Sequence, residues 1–147
     1  MPFEFKAVRR VEFSETDMAG IVHYSNFFRY METAEHGFFR SLGYSVVMNH
    51  FATPMGWPRV HAECDYRHPL RFEDEVEVHL LVTKKRPKSL SYMFKFTKLN
   101  GPEPIEVARG SLTVVCVVKK KDGSFAAARM PKKFAGQIEI APARLLG

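Results

Sequence analysis

The chain has 147 residues, 22 lysines and arginines against 16 aspartates and glutamates, and a formal net charge of +6. That length fits one domain, 1–147, able to bury a core without metal or disulfide support, and the two cysteines, Cys64 and Cys116, each inside an apolar or alternating run, are expected as reduced core thiols of a cytoplasmic protein. The opening MPFEFKAVRR has no apolar signal region and the longest apolar run, Val114 to Val118, is too short for a bilayer, so a soluble, unprocessed chain with no membrane partner is expected, its positive charge pointing to an anionic partner.

The first segment alternates. Phe3, Phe5, Ala7, Val11 and Phe13 share one face, interrupted by Arg9, while Glu4, Lys6, Arg10 and Glu12 take the other, which predicts a half-buried strand. From Ser25 the period becomes helical: Phe27, Tyr30, Met31, Ala34, Phe38, Ser41 and Leu42 form one stripe, with Arg29, Thr33, His36 and Arg40 opposite. Ser25 or Asn26 can cap this helix and Gly43 can end it. A loop carrying Pro54, Gly56 and Pro58 follows, then four strands at about Val60 to Arg67, Glu75 to Lys85, Ser89 to Thr97 and Ile105 to Lys119. Their tight turns predict an antiparallel sheet, and LTVVCVV, apolar on both faces, suits a central strand. Five strands and one aromatic helix make an α+β architecture with the helix lying across the sheet. The closing MPKKFAGQI is expected to form a short helical turn of little consequence.

Two basic clusters, KKRPK at Lys84 to Lys88 and KKKDG at Lys119 to Gly123, fall where strands should turn. Solvated turn lysines, a nucleic acid and a phosphorylated small molecule all use such charges. The group His61, Cys64 and His68 invites a metal reading, which strand geometry rejects. His61 and Cys64 fall on opposite faces, and Cys64 and His68 lie about 13 Å apart at 3.3 Å per residue. There is no G-x-S-x-G elbow for a nucleophilic serine.

The stretch FSETDMAGIVHYSNFF, Phe13 to Phe28, is the chemically suggestive one. A strand ends, Gly20 permits a reversal, and the chain enters a helix at His23 to Asn26, where unpaired N–H groups and the positive dipole end lie available. Asp17 there can face a carbonyl carbon while helix-terminal amides hold the carbonyl oxygen. Asp17 as a plain turn former has the same sequence.

VEFSETDMAGIVHYSNFFRYMETAE resembles the signature of the 4-hydroxybenzoyl-CoA thioesterase family of hotdog-fold proteins: strand, acid-x-Asp-x-x-Gly-x-Val, an aromatic or histidine pair, then an aromatic helix. RFEDEVEV resembles the start of that family's next long strand, with Asp74 at its acidic position. The resemblance implies a hotdog fold, about five antiparallel strands wrapped around one long helix, and hydrolysis of an acyl-CoA to the acid and free CoA. It places the catalytic carboxylate on Asp17, the oxyanion donor on the backbone N–H of Tyr24, and His23 beside it. Arg86 and Lys88 would then hold the phosphates of CoA, with Lys119 to Lys121 as second choice, and Phe27, Tyr30 and Met31 would meet the acyl group. No metal and no cofactor are implied, since CoA belongs to the substrate, and no nucleic acid is. The family pairs its sheets across a homodimer, or a tetramer of dimers. Glu35 stands where many members have arginine, and Glu73 where glycine is frequent. The rivals are a hotdog dehydratase or hydratase and a non-catalytic acyl-CoA binding module.

Overall fold

The alternating opening segment forms β1, Glu4–Arg10, and the aromatic run after Tyr24 forms α1, Ser25–Ser41, in a computed structural model that describes residues 2–49 and 53–147. The remaining elements are β2 (Met55–Gly56), β3 (Arg59–Tyr66), β4 (Glu75–Lys85), β5 (Ser89–Lys98), β6 (Ile105–Val115), β7 (Val117–Lys119), β8 (Phe125–Ala127) and α2 (Lys132–Gln137). The main sheet has five strands in the order β1-β4-β5-β6-β3, every neighbouring pair antiparallel. With α1 laid against one face, this is the α+β architecture that the residue pattern predicts and the hotdog arrangement that the resemblance implies.

One face of the sheet is apolar because the strands alternate in phase: Val76, Val78, Leu80 and Val82 of β4 stand beside Leu90, Tyr92, Phe94 and Phe96 of β5, all buried. Gly110 of β6 lies on that face, where a Cβ would come within 2.1 Å of the Met31 side chain. The helix therefore sits close to the sheet only because this position has no side chain. Of the predicted stripe, Phe27, Tyr30, Met31, Ala34 and Phe38 are buried, whereas Ser41 is exposed and Leu42 half-buried at the helix end; the buried arc also takes in Glu35 and Phe39. Phe39 packs on Trp57 and Phe134, with ring centroids 5.2 and 4.9 Å away. Gly43 ends the helix as expected, donating to the Arg40 carbonyl while Tyr44 donates to that of Phe39.

Four expectations are corrected. The first strand stops at Arg10, and Phe13–Glu15 is a turn of 3-10 helix, so Phe13 is 73% exposed and rests edge-on against Phe72 instead of entering the core. The cause is reciprocal bonding: Glu73 donates to Val11, Val11 to Asp74, and the Glu12 N–H to the Glu15 carboxylate, which turns the chain out of the sheet. The strand predicted to run from Ile105 to Lys119 breaks at Cys116. Its partner β5 begins at Ser89, opposite Val115, so nothing in the main sheet can pair beyond that point. Cys116 instead donates to Lys88 and accepts from Ala128, and β7 joins β2 and β8 in a second, three-stranded sheet that includes Met55–Gly56 of the expected loop. Cys64, expected in the core, is half-buried on the edge strand β3; Cys116 is buried, and both are free thiols. Finally, α2 is more than a minor turn, since Phe134 is fully buried and closes the core over Trp57. The chain beyond α2 crosses the outer face of the sheet, where Ala141, Leu145 and Leu146 pack with Phe3, Leu81 and Met93.

Glu35 is completely buried and bonded to the Arg59 guanidinium, which also donates to the Trp57 carbonyl at 2.8 Å. The fully buried Tyr92 hydroxyl faces the same carboxylate without closing a well-formed hydrogen bond. Burial pushes the Glu35 carboxyl above the usual range, Arg59 pulling the other way. Glu35 thus holds the middle of α1 to the start of β3.

Glu73 is the one described residue other than glycine with a positive φ, 71°. An L side chain in that region costs about 1–2 kcal/mol, whereas glycine there gives back about 0.5–1 kcal/mol through its larger unfolded-state entropy. Glu73→Gly is expected to stabilise the fold by about 0.5–1 kcal/mol, read as a higher urea midpoint at fixed protein concentration with an unchanged slope.

Candidate active site

Between the 3-10 turn and α1 the chain makes a tight hairpin. Thr16 pairs with Val22, Asp17 donates to Ile21 and Gly20 to Asp17, both at 2.9 Å, and Gly20 sits at φ 79°. The Asp17 carboxylate accepts the Ala19 N–H through Oδ1 at 2.9 Å. Asp17 therefore is a turn former, but with one oxygen only. Oδ2 has no hydrogen-bond partner among the described residues. Asp17 is half-buried and borders an apolar cavity of about 440 Å³ together with Tyr24, Val22, Phe27, Tyr66 and Leu70.

The helix start differs from the expectation that Ser25 or Asn26 caps it. Both lie inside α1, and His23 does the capping: its Nδ1 accepts the Ser25 N–H at 3.3 Å and engages the Ser25 hydroxyl at 2.8 Å. The imidazole is stacked on the Tyr24 ring, centroids 4.6 Å apart, and its side chain is not part of the cavity wall. The Asn26 N–H donates to the His23 carbonyl and the Phe27 N–H to that of Tyr24. The Tyr24 N–H, by contrast, has no acceptor among the described residues. It lies at the positive end of the 17-residue α1 and belongs to a residue on the cavity wall.

Tyr66, at the end of β3, donates its hydroxyl to the Tyr24 carbonyl at 3.0 Å and meets Phe27 edge-on at 5.0 Å. Burial pushes its phenol up to about 12, so it remains a donor at neutral pH. This bond ties the sheet to the helix start, a role without a sequence signal, because it depends on a residue 42 positions away. Arg67 and His68 also border the cavity, Arg67 being ion-paired to Glu106 at 2.8 Å. His68 entered the sequence reading only as a rejected metal ligand.

Of the three residues expected to meet an acyl group, Phe27 lies on the cavity wall. Tyr30 and Met31 stand behind it in the core: the Tyr30 hydroxyl donates to the Glu15 carboxylate at 2.8 Å, and Met31 packs on Gly110. Glu15 itself, the other acid of the motif, is taken up by Arg9, Tyr30 and the Glu12 N–H.

Arg86 and Lys88 lie exposed on the turn between β4 and β5. Arg86 borders a second concavity, of about 480 Å³, with Arg129 and Lys132, which the sequence reading did not single out. They reach it because β8 and α2 fold back beside that turn, where Lys85 donates to the Ala135 and Ile138 carbonyls. Within one chain the two concavities share no wall residue. Lys119 to Lys121 sit at the exposed β7–β8 hairpin, away from both linings. No helix among the described residues is long and apolar enough to cross a membrane.

Comparison with known proteins locates this arrangement. The sequence pattern of the thioesterase-like superfamily matches residues 11–138. An Aquifex aeolicus protein whose name goes no further than esterase is 42% identical over 124 residues, which cover 81% of this chain and 87% of that protein. A 1,4-dihydroxy-2-naphthoyl-CoA hydrolase of Prochlorococcus marinus is 33% identical over 102 residues, 65% of this chain and 67% of that one. Among solved structures, a 1,4-dihydroxy-2-naphthoyl-CoA thioesterase from Synechocystis superposes with a TM-score of 0.79 over 92% of this chain and 95% of that chain, at 21% identity, a likeness of fold.

Proposed function

The chain belongs to the thioesterase-like superfamily, and from that premise we propose that it hydrolyses an acyl-CoA thioester with Asp17 as its carboxylate and the Tyr24 N–H as its oxyanion donor. One observation carries the reading: a half-buried carboxylate with a free oxygen and a helix-terminal residue whose N–H is unpaired border the same apolar cavity. The thioester carbonyl carbon would face Oδ2 while its oxygen takes the Tyr24 N–H, which strengthens as negative charge develops there. Asp17 then either attacks the carbon, giving a mixed anhydride that water cleaves, or takes a proton from the attacking water. Both routes expel the CoA thiolate, whose pKa near that of an ordinary thiol, about 8.5, makes a strong general acid unnecessary. No cofactor enters either route. Phe27 and Tyr66 on the wall favour an aromatic acyl group, in keeping with the substrate for which the Prochlorococcus relative is named.

The phosphates of CoA suit the basic concavity of Arg86, Arg129 and Lys132; Lys88 is on the same turn but is not part of its lining. That site and the Asp17 cavity come together most simply across two copies of the chain. Strand β3 supports such pairing: it is an eight-residue edge, bonded to β6 on one side only, and all but Cys64 of its residues are exposed, Val60 by 63%. A long bare edge of this kind is a template for a second strand. We therefore read the protein as a homodimer, or a tetramer of dimers, and the two free thiols suit a cytoplasmic location.

Light scattering at micromolar concentration should return a dimer or tetramer, and a fully active monomer would refute the paired site. Replacing Arg86 and Lys88 together by alanine should raise KM for acyl-CoA more than it lowers kcat, with added salt doing the same to the parent. Short thioesters lacking the nucleotide should be turned over unchanged; equal losses on both substrate types would deny these residues a phosphate role. Asp17→Asn keeps the size and the Ala19 bond while removing the charge, so kcat should fall by about 100-fold or more, about 2.7 kcal/mol of transition-state stabilisation, with folding intact. Near-normal turnover in that variant would end the carboxylate mechanism.

A further inference from the structure

We propose that Glu15 is a positioning residue that, together with Arg9 and Tyr30, sets the spacing between the Asp17 carboxylate and the Tyr24 N–H. The inference rests on the reading of those two groups as the reacting pair. Its basis is the unusual bonding of one residue. The Glu15 carboxylate accepts from the Tyr30 hydroxyl and the Glu12 N–H at 2.8 Å and from the Arg9 guanidinium at 2.9 Å. Its backbone carbonyl accepts from the His23 N–H at 2.9 Å and the Asn26 side-chain amide at 2.8 Å.

These donors come from β1, from α1 and from both branches of the hairpin. Arg9 belongs to β1, Tyr30 and Asn26 to α1, Glu12 to the turn before Asp17, and His23 to the residue before Tyr24. Asp17 lies two positions beyond Glu15, and Tyr24 one beyond His23. Each reacting group is thus held one or two residues from an atom of Glu15, one branch of the hairpin through the side chain and the other through the carbonyl. The side chain of Glu15 is 15% exposed, so its bonds are largely shielded from competing water.

Arg9 and Tyr30 are themselves fixed by Glu15. The Arg9 guanidinium lies 4.2 Å over the Tyr30 ring, and Arg9 Nε is buried without a partner, a cost the structure carries to keep this head group in place. Burial first, and then the Glu15 carboxylate, push the Tyr30 phenol well up, so its proton stays in the bond. All three side chains lie outside the cavity wall, so they act through the loop and never on substrate.

Glu15→Gln tests the assignment. The amide oxygen can keep Tyr30 and Glu12, but the amide nitrogen then opposes the Arg9 guanidinium, donor against donor. A misplacement of 1 Å at a reacting centre costs about 100-fold, and part of that shift should cost kcat about 10-fold, with KM within a factor of two. An acid limb of the pH–rate profile should persist, because the variant keeps the Asp17 carboxylate. Tyr30→Phe, which deletes one hydroxyl from the same network, should lower kcat about 3-fold, and the double variant should be no slower than Glu15→Gln alone. Normal kcat in folded Glu15→Gln and Tyr30→Phe would overturn the proposal. So would losses that multiply in the double variant, or an acid limb that vanishes in Glu15→Gln, which would make Glu15 the reacting acid. Asp17→Asn assayed alongside separates the two levels: if it alone retains full turnover, the premise falls and not the network. Should Glu15→Gln fail to fold, Tyr30→Phe decides through its own kcat loss at unchanged KM.

Discussion

Everything at the site depends on where α1 comes to rest on the sheet. The helix carries a wide apolar face, and Phe27, Tyr30, Met31 and Phe38 each gain about 1.5–3 kcal/mol by burial, so the face must be covered. Several registers along a curved sheet would cover it. Close approach selects one, because the Met31 side chain fits only over Gly110 and the Phe5 ring only against Gly37. At 1.5 Å of rise per residue, a slip of one helical turn would carry Tyr24 about 5.4 Å from the Asp17 hairpin. Packing in the middle of the helix therefore fixes the geometry at its end.

Two ion pairs hold α1 on opposite sides. Arg9–Glu15, joined to the helix by Tyr30, binds its first half toward β1, and Glu35–Arg59 binds its middle toward β3. Glu35 is wholly out of water, so its pair adds little net stability, since desolvation offsets most of the attraction, whereas losing Arg59 would leave a charge stranded at a cost of about 3–5 kcal/mol. The contribution of the two pairs is selective: a different seating of the helix would part Glu35 from Arg59 and the Tyr30 hydroxyl from the Glu15 carboxylate. The apolar face supplies the driving force and the charges exclude competing arrangements.

How much of this is legible in the sequence follows the range of each interaction. Alternation in β1 and the 3.6-residue stripe of α1 are local, so the five strands and the helix are readable in their places. The break at Cys116 is not, because LTVVCVV continues without interruption and the limit is set by where β5 begins. Phe39 and Phe134 look peripheral until α2 folds over Trp57. Glu35 reads as a surface residue until Arg59 arrives from 24 positions away. At the site, Asp17 and Tyr24 are legible because hairpin and helix start are contiguous. Tyr66 and Arg129 are not, since each is delivered by a strand remote in sequence. Arg9, which breaks the alternation of β1, was the one visible sign of the polar network behind the loop.

Strand β3 has two faces to its role. Its C-terminal end delivers Tyr66 to the helix start and leads into Arg67 and His68 on the cavity wall, while its outer edge is unpaired along its length. The border of the sheet is thus also the border of the cavity. Linkage makes any influence of a partner at that edge on the cavity reciprocal: by whatever factor the partner alters the affinity for a ligand, the ligand alters the affinity for the partner.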